Sequence, residues 1–189
     1  MSVLLAVAAL VGYLVGAVSP ATLVASRRGV DLRGVGSGNP GAANVGRTLG
    51  RRLGVVVAVL DVLKGAVPAA AFGATDHRAG LLAGFAAVIG HVSSPFLRGR
   101  GGKGVATAAG AVLGSHPLWA PVVILVWVVV LAARRWIALA SLAAAVSLPV
   151  VAVIAGEDAI WAVALAAVLV VRHRPNVMRR SASRRGLES

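Results

Sequence analysis

Long apolar segments, each close to the length that crosses a lipid bilayer, dominate this chain of 189 residues. Hydrophobic residues make up 58% of it and charged residues only 13%, which excludes an ordinary soluble globular domain. The formal net charge is nevertheless +13. A soluble nucleic-acid-binding protein has such a charge without such hydrophobicity, whereas a membrane protein with arginine-rich loops has both. We therefore expect an all-α polytopic membrane protein and no nucleic-acid partner.

Six apolar segments can be separated along the chain. They lie at about 3–25, 53–72, 79–97, 104–133, 136–155 and 159–171. The fourth is too long for one span, because its helix would extend ~45 Å against a hydrocarbon core of ~30 Å. Ser115, His116 and Pro117 interrupt it near the middle, and basic residues flank both of its ends. A hairpin of two short helices keeps those basic residues on one side, so the sequence predicts seven transmembrane helices.

The positions of the basic residues predict the orientation. With seven spans, 17 of the 19 Lys and Arg residues fall on one face, in the segments 26–52, 98–103, 134–135 and 172–189. Because positively charged loops favour the cytoplasm, we expect the amino terminus outside and the carboxyl terminus in the cytoplasm. We interpret residues 1–180 as a single integral-membrane domain and 181–189 as a basic, disordered cytoplasmic tail.

A glycine-rich segment, GSGNPGAAN at 36–44, lies in the first predicted cytoplasmic loop. Its glycines match G-x-G-x-x-G, but the dinucleotide-binding motif needs a preceding strand and a βαβ unit, and membrane helices flank this one. Glycines let backbone amides converge on an anion, and Ser37, Asn39 and Arg47 add side-chain donors. The simpler alternative for this segment alone is a flexible loop whose arginines follow the positive-inside rule.

Two further segments on the same predicted face have related chemistry. The segment RGRGGKGVAT at 98–107 places Lys103 among glycines at a helix start, without the form of a nucleotide P-loop. The segment RHRPNVMRR at 172–180 places His173 and Asn176 three residues apart, on one helix face. Each has a simple structural explanation, but their occurrence on one face favours a shared site for a polyanion.

Two charged residues and a histidine inside the predicted second and third spans are candidates for a function. Asp61 and Lys64 stand three residues apart in the second span, where charged groups are costly and usually pair or line a polar cavity. A structural ion pair and a role in binding substrate remain equally open. His91, near the cytoplasmic end of the third span, is more typical of a packed polar residue than of a catalyst.

Taken in order, these motifs resemble those of the PlsY family, the integral membrane acyl-phosphate:glycerol-3-phosphate acyltransferases of bacteria. The family segments GSGNPGATN-V-x-R, D-x-x-K-G, GH…FL…GGKGVAT…G and H-R-x-N-I-x-R are matched by residues 36–47, 61–65, 90–110 and 173–179. The resemblance covers nearly the whole chain. This chain departs from the family pattern at Ala43 (usually Thr), at Ser93 and Ser94 (often an aromatic) and at Pro175 (usually Glu). Pro175 has no amide hydrogen and disfavours helical geometry at the residue before it.

The resemblance implies an activity. A fatty acyl group would pass from acyl phosphate to the 1-hydroxyl of glycerol 3-phosphate, giving lysophosphatidic acid and inorganic phosphate. It implies a multi-pass protein of the bacterial inner (plasma) membrane, in contact with membrane lipid, with a cytoplasmic active site and no metal or other cofactor. We expect a monomer.

For that reaction we expect two groups of site residues. The catalytic group is Ser37, Arg47, Lys103, His173 and Asn176. The substrate-binding group is Gly36, Gly38, Asn39, Gly41, Asn44, Asp61, Lys64, His91, Gly101, Gly102, Gly104 and Arg179. His173 is the side chain most able to accept the hydroxyl proton, although a phosphate oxygen of the substrate is an alternative. No His or acid is adjacent in sequence to activate Ser37, so we interpret it as a ligand and not a nucleophile.

The main alternative is a diverged paralogue that carries or binds organic phosphate anions in the membrane. A carrier needs a polar path through both faces, and the predicted outer face has no glycine-rich partner to the inner motifs. An inactive scaffold would not need Ser37, Arg47 or Lys103. The H-x-x-x-x-D motif of the other glycerol-phosphate acyltransferases is absent, because no Asp follows a histidine at that spacing.

Overall fold

A computed structural model describes residues 1–184, without the side chains of Val177 and of residues 179–184. Within this range the chain forms helices and no strand, which confirms the all-α prediction. The α-helices are α1 Ser2–Ala17, α2 Pro20–Ser26, α3 Ala42–Thr48, α4 Arg51–Gly73, α5 His77–Val92, α6 Val105–Ser115, α7 Ala120–Arg134, α8 Ile137–Ala155 and α9 Ala159–Arg184. A single 3-10 turn, Pro95–Leu97, follows α5.

The chain divides into two compact units. The amino-terminal unit, Met1–Ala120, contains α1 to α6 and the first residue of α7, and the carboxy-terminal unit, which begins at Pro121, contains the rest of α7 together with α8 and α9. All of the glycine-rich segments belong to the amino-terminal unit. The motif that contains His173 belongs to the carboxy-terminal unit.

Several helices have the length and composition of membrane spans. In the described part of the chain, four segments qualify fully: Ser2–Ser26, Arg51–Gly73, His77–Leu97 and Ile137–Ala155. Helices α6 and α7 are apolar but shorter. The predicted interruption of the long fourth segment is confirmed, because α6 ends at Ser115 and α7 begins at Ala120. These helices agree with a protein that crosses a membrane several times.

Two local expectations are corrected. Residues 42–48, expected to lie in a loop, form α3, because the glycine-rich part ends at Gly41 and two alanines follow it. Helix α9 continues through Pro175 to Arg184, whereas Pro175 was expected to disfavour helix. One proline removes a single amide donor, and the remaining backbone bonds continue the helix around it. The helix therefore includes 181–184 of the predicted tail, and 185–189 lie outside the described residues.

Small residues bring the helices of the amino-terminal unit into backbone contact. A Cβ atom at Gly65 of α4 would collide with the Thr107 carbonyl of α6, and one at Gly110 of α6 would collide with the Val62 carbonyl of α4. Lipid and side chains are equally apolar, so helices in a membrane associate mainly through such close packing and through interhelical hydrogen bonds. The glycines of α4 and α6 thus determine how closely these two helices approach.

The first span is broken between α1 and α2, and side chains from distant parts of the chain satisfy the carbonyl groups at the break. Ser94 Oγ donates a 2.6 Å hydrogen bond to the Ala17 carbonyl, and Lys64 Nζ donates a 2.8 Å hydrogen bond to the Val18 carbonyl. Broken helices are tolerated at membrane depth only where the exposed backbone groups find partners. Ser94, one of the two serines that depart from the family pattern, therefore stabilises the break.

Replacement of Ser94 by alanine is expected to lower the stability of the fold by about 1–3 kcal/mol, because the Ala17 carbonyl stays buried without this donor. The matched control is Ser93→Ala, since Ser93 Oγ donates to the Ile89 carbonyl of its own helix. Thermal unfolding midpoints in detergent measure both effects. Equal midpoints for the two variants would contradict a role for Ser94 at the break.

Buried leucines and a polar contact between α7 and α8 contribute to the packing of the carboxy-terminal unit. Trp127 Nε1 of α7 donates to Ser141 Oγ of α8 at 3.3 Å. Leu148 of α8 and Leu165 and Leu169 of α9 are buried, and α8 packs against α9. The apolar part of α9 that precedes His173 is therefore packed against α8.

Candidate functional site

The first glycine-rich segment is folded around the side chain of Asn44, which is 1% exposed. Asn44 Oδ1 accepts the amide hydrogen of Ser37 at 2.9 Å. Asn44 Nδ2 donates to the carbonyl groups of Leu32 at 3.2 Å and Val35 at 3.1 Å. Gly36 has a φ of 59°, and a Cβ atom there would collide with Asn44 Oδ1. Asn44 therefore shapes the loop that presents Ser37.

Helix α3 brings Arg47 to Ser37. Arg47 lies in the last turn of α3, and its Nη2 donates to Ser37 Oγ at 3.1 Å. Both residues are exposed, so the guanidinium and the hydroxyl are accessible together. A guanidinium beside a hydroxyl can bind two oxygens of a phosphate group.

The amides of the first segment are largely used to fold the segment itself. The amides of Ser37, Gly38 and Gly41 donate to Asn44 Oδ1, the Val35 carbonyl and the Asn39 carbonyl, at 2.9, 3.1 and 2.9 Å. Backbone amides of 36–41 were expected to converge on a ligand, and in this structure three of them have acceptors within the loop. Side chains, above all Ser37 and Arg47, are the groups that this loop offers to an anion.

The second glycine-rich segment, Gly101–Gly104, is attached to the end of α5. The amide of Gly101 donates to the Val92 carbonyl at 3.2 Å, and the amide of Gly102 donates to the His91 carbonyl at 3.1 Å. Gly104, with a φ of 86°, is the residue from which α6 starts. Lys103 is half-buried in this segment, beside the first turn of α6, whose amides have no acceptor within the helix. A cation at a helix start is suited to an anion.

The two glycine-rich segments are neighbours within the amino-terminal unit. Arg33 Nη2, just before the first segment, donates to the Leu97 carbonyl, just before the second, at 2.9 Å. A cleft of about 250 Å³ adjoins this contact, and its lining includes Thr22, Pro40, Arg33 and Leu97. The residues that precede the two segments, although distant in sequence, thus meet at one place.

Asp61, Lys64 and His91 form a buried cluster. Lys64 Nζ lies 2.9 Å from Asp61 Oδ1, and His91 Nδ1 lies 3.5 Å from the same oxygen. Lys64 also donates to the Val18 carbonyl. These contacts join protein groups to one another, so the geometry favours the structural ion pair over direct contact with substrate.

His173 and Asn176 lie in the carboxy-terminal unit, on consecutive turns of α9. His173 is 2% exposed, and its Nδ1 is 2.8 Å from the Leu169 carbonyl. A carbonyl can only accept, so Nδ1 is the donor, and a neutral ring then has its lone pair on Nε2. Asn176 is half-buried. The side chain of Arg179, a predicted substrate ligand, lies outside the described residues.

A sequence profile described as Glycerol-3-phosphate acyltransferase matches residues 6–183 of this chain. The chain belongs to this family. A glycerol-3-phosphate acyltransferase of Aquifex aeolicus is 40% identical over 174 residues, 88% of this chain and 90% of the relative. One from Geobacter sulfurreducens is 41% identical over 175 residues, 89% of this chain and 90% of the relative.

Solved structures give the same result. The glycerol 3-phosphate form of PlsY (YgiH), an integral membrane glycerol 3-phosphate acyltransferase, matches with a TM-score of 0.90 and 36% identity, over 95% of this chain and 93% of that chain. The lysophosphatidic acid form matches with a TM-score of 0.88 and 35% identity, over the same shares. The resemblance seen in the motifs is therefore confirmed.

Two residues of this acyltransferase-family chain have contacts that sequence reasoning missed. Arg33 was only one of several flanking arginines, and nothing in the sequence distinguishes its contact with Leu97. Ser94 was noticed only as a departure from the family pattern. The sequence did contain a signal for the contact of Ser94. It is a polar residue near the end of an apolar span, and such residues often form hydrogen bonds to a neighbouring helix.

Proposed function

We propose that this chain transfers a fatty acyl group from acyl phosphate to the 1-hydroxyl of glycerol 3-phosphate, releasing lysophosphatidic acid and inorganic phosphate. The observation that carries the proposal is the contact of Arg47 with Ser37 on the loop shaped by Asn44, in a member of the glycerol-3-phosphate acyltransferase family. The two forms of the solved relative are named for the acceptor and the product of this reaction.

The reaction needs two anions close together and little acid catalysis. The acceptor hydroxyl oxygen forms a bond to the acyl carbonyl carbon, and the bond from that carbon to the phosphate oxygen breaks. The phosphate leaves with the electron pair, so a strong general acid is unnecessary. The remaining requirements are orientation of the two substrates and stabilisation of the negative charge that develops on the carbonyl oxygen. Cationic and hydroxyl side chains meet both requirements.

In this proposal the phosphate groups contact side chains of the two glycine-rich segments. Arg47 and Ser37 bind one phosphate, and Lys103 supplies a further positive charge next to the start of α6. Asn39, half-buried in the first segment, adds an amide donor. Asn44 and the glycines support these groups, since the amides of Ser37, Gly38 and Gly41 already have acceptors within the loop.

His173 accepts the proton of the acceptor hydroxyl in this proposal. The hydrogen bond from Nδ1 to the Leu169 carbonyl supports it, because that bond favours the tautomer with its lone pair on Nε2. Asn176, one turn along α9, orients glycerol 3-phosphate, and Arg179 contributes to its binding. An oxygen of the substrate phosphate is the alternative proton acceptor.

We propose seven spans in the bacterial inner membrane, with the amino terminus outside and the active site on the cytoplasmic side. The four long apolar segments, the shorter helices α6 and α7 and the apolar residues 159–171 of α9 support this number. The 17 basic residues that would share the cytoplasmic face support the orientation. The protein acts as a monomer, and the acyl chain enters between helices from the lipid.

The proposal is tested with purified protein in detergent or lipid. Palmitoyl phosphate and glycerol 3-phosphate are supplied, and both phosphate release and lysophosphatidic acid are measured. Equal amounts of both products are expected, and none when glycerol 3-phosphate is omitted or acyl-CoA replaces the acyl phosphate. Absence of product from folded protein would overturn the proposal, and anion uptake into liposomes would then test the carrier alternative.

A further inference from the structure

We propose that Asp61, Lys64 and His91 form a positioning cluster, which holds the two glycine-rich segments in register and does not itself contact substrate. This inference rests on the proposed acyltransferase function, because it concerns the geometry of that same site. It replaces the expectation that these three residues bind substrate.

The cluster is isolated from solvent. Asp61 is 3% exposed, and Lys64 and His91 are each 7% exposed. The ion pair between Asp61 and Lys64, at 2.9 Å, compensates two charges whose separate burial would be costly. Apolar residues of similar volume are often as stable as a buried ion pair. We therefore infer that Asp61 and Lys64 serve to position neighbouring backbone and not to add net stability.

Lys64 connects the cluster to the first glycine-rich segment. Its hydrogen bond to the Val18 carbonyl stabilises the break after α1, and the break sets where α2 begins. Helix α2 packs against α3, α4 and the residues just before the first segment, through a buried group formed by Ala21, Ala25, Leu32, Val45 and Val57. A change at Lys64 is thus transmitted to the loop that presents Ser37.

His91 connects the cluster to the second glycine-rich segment. The imidazole edge that bears Nε2 lies against Gly102, where a Cβ atom would collide with it. The amide of Gly102 donates to the His91 carbonyl. On the other side of the ring, Nδ1 lies 3.5 Å from Asp61 Oδ1, within reach of an electrostatic attraction. Lys103 directly follows Gly102. The orientation of the His91 ring therefore sets the position of the Lys103 backbone.

Helix α4 therefore carries the residues that position both glycine-rich segments. Asp61 and Lys64 lie on one turn of it, and Gly65 packs against the Thr107 carbonyl, beyond the second segment. A displacement of the reacting groups by about 1 Å lowers rates by up to ~100-fold. Loss of the cluster should accordingly lower kcat, whereas loss of a substrate ligand that binds equally in the ground and transition states would raise KM.

The decisive variant is the double replacement Asp61→Asn/Lys64→Met, which removes both charges together and leaves no uncompensated ion. We expect a folded protein whose kcat is about 10- to 100-fold lower, with KM for glycerol 3-phosphate within about 3-fold of the parent value. His91→Asn is the second variant. It removes the ring edge against Gly102 without burying a new charge, and a fall in kcat of similar size is expected.

Asp76→Ala is the matched control. Asp76 caps the opposite end of α5 through a 3.1 Å hydrogen bond from the Ala79 amide, about 22 Å along the helix from His91. The replacement removes a carboxylate and about 1 kcal/mol of helix-capping stability. It therefore shows how much general destabilisation by itself changes kcat. Its kcat should stay within about 2-fold of the parent value.

Amide hydrogen exchange gives a readout that does not depend on activity. The amides of Gly101 and Gly102 and the amide of Ser37 should exchange faster in the double variant and in His91→Asn than in Asp76→Ala. Unchanged exchange in folded variants, or a rise in KM without a fall in kcat, would overturn the inference. If the parent protein makes no lysophosphatidic acid, the proposed function fails, and the exchange rates still decide whether the cluster positions the segments.

Discussion

Replacement of Arg47 by alanine is expected to lower kcat/KM by about 1,000-fold while the protein remains folded. The guanidinium is exposed and donates to Ser37 Oγ, so its loss removes a charged donor from the proposed phosphate site without opening a cavity. Removal of a single charge-stabilising donor typically costs about 100- to 1,000-fold in rate, and the binding of a phosphate adds to that loss. Kinetics with palmitoyl phosphate and glycerol 3-phosphate measure the effect.

Two further variants distinguish the specific contact of the Arg47 guanidinium from the general effect of positive charge on this surface. Arg51→Ala removes an exposed arginine from the start of α4, close in sequence, and should change kcat/KM by less than about 3-fold because exposed charges are screened. Arg47→Lys keeps the charge but loses the planar fork, and should fall between the parent and Arg47→Ala. Similar rates for the Arg47→Ala variant and the parent would remove Arg47 from the proposed site.

Lys103→Ala is also expected to abolish acyl transfer, because it removes a positive charge from the proposed phosphate site. The same kinetic assay measures this loss.

Replacement of Gly65 by alanine is expected to destabilise the protein by about 3 kcal/mol or to prevent folding. A Cβ atom at this position would collide with the backbone carbonyl of Thr107, and backbone cannot move aside as a flexible side chain can. The higher helix propensity of alanine, about 1 kcal/mol, does not offset that collision. The loss arises in the contact between α4 and α6, next to Lys64.

Gly73→Ala is the control within the same helix. A Cβ atom at Gly73 would meet the Gly80 Cα at 3.7 Å, an ordinary van der Waals contact. Thermal unfolding midpoints in detergent should therefore fall strongly for Gly65→Ala and change little for Gly73→Ala. Equal midpoints would show that α4 and α6 can separate without loss of stability, contrary to the packing described above.

Several features of the protein could be predicted from the chain because their signals are local. Apolar length indicated the membrane spans, and the interruption at 115–117 indicated that α6 and α7 are separate helices. The order of the motifs indicated the family, which the sequence profile and the solved relatives confirm. The helix at 42–48 was missed because glycine and proline just before it suggested loop.

The site could be predicted only in part. Arg47 and Ser37 were both expected in it, yet their direct contact across ten residues depends on the turn between them and on α3. Asn44 was predicted to bind substrate, and that prediction did not include the three hydrogen bonds that its side chain makes with the loop. Which polar side chains face inward depends on backbone conformation, and the positive φ of Gly36 has no counterpart in a helix or strand pattern.

The sequence by itself determined that this is an all-α, multi-pass membrane protein of the glycerol-3-phosphate acyltransferase family, since hydrophobic length, charge and motif are properties of neighbouring residues. The tertiary structure alone decided which acceptors the amides use, that Lys64 reaches the Val18 carbonyl and that His91 lies beneath Gly102. Lys64 and Val18 are 46 residues apart in the chain. Contacts between helices depend on close packing, and glycines supply it between α1 and α5 and between α4 and α6.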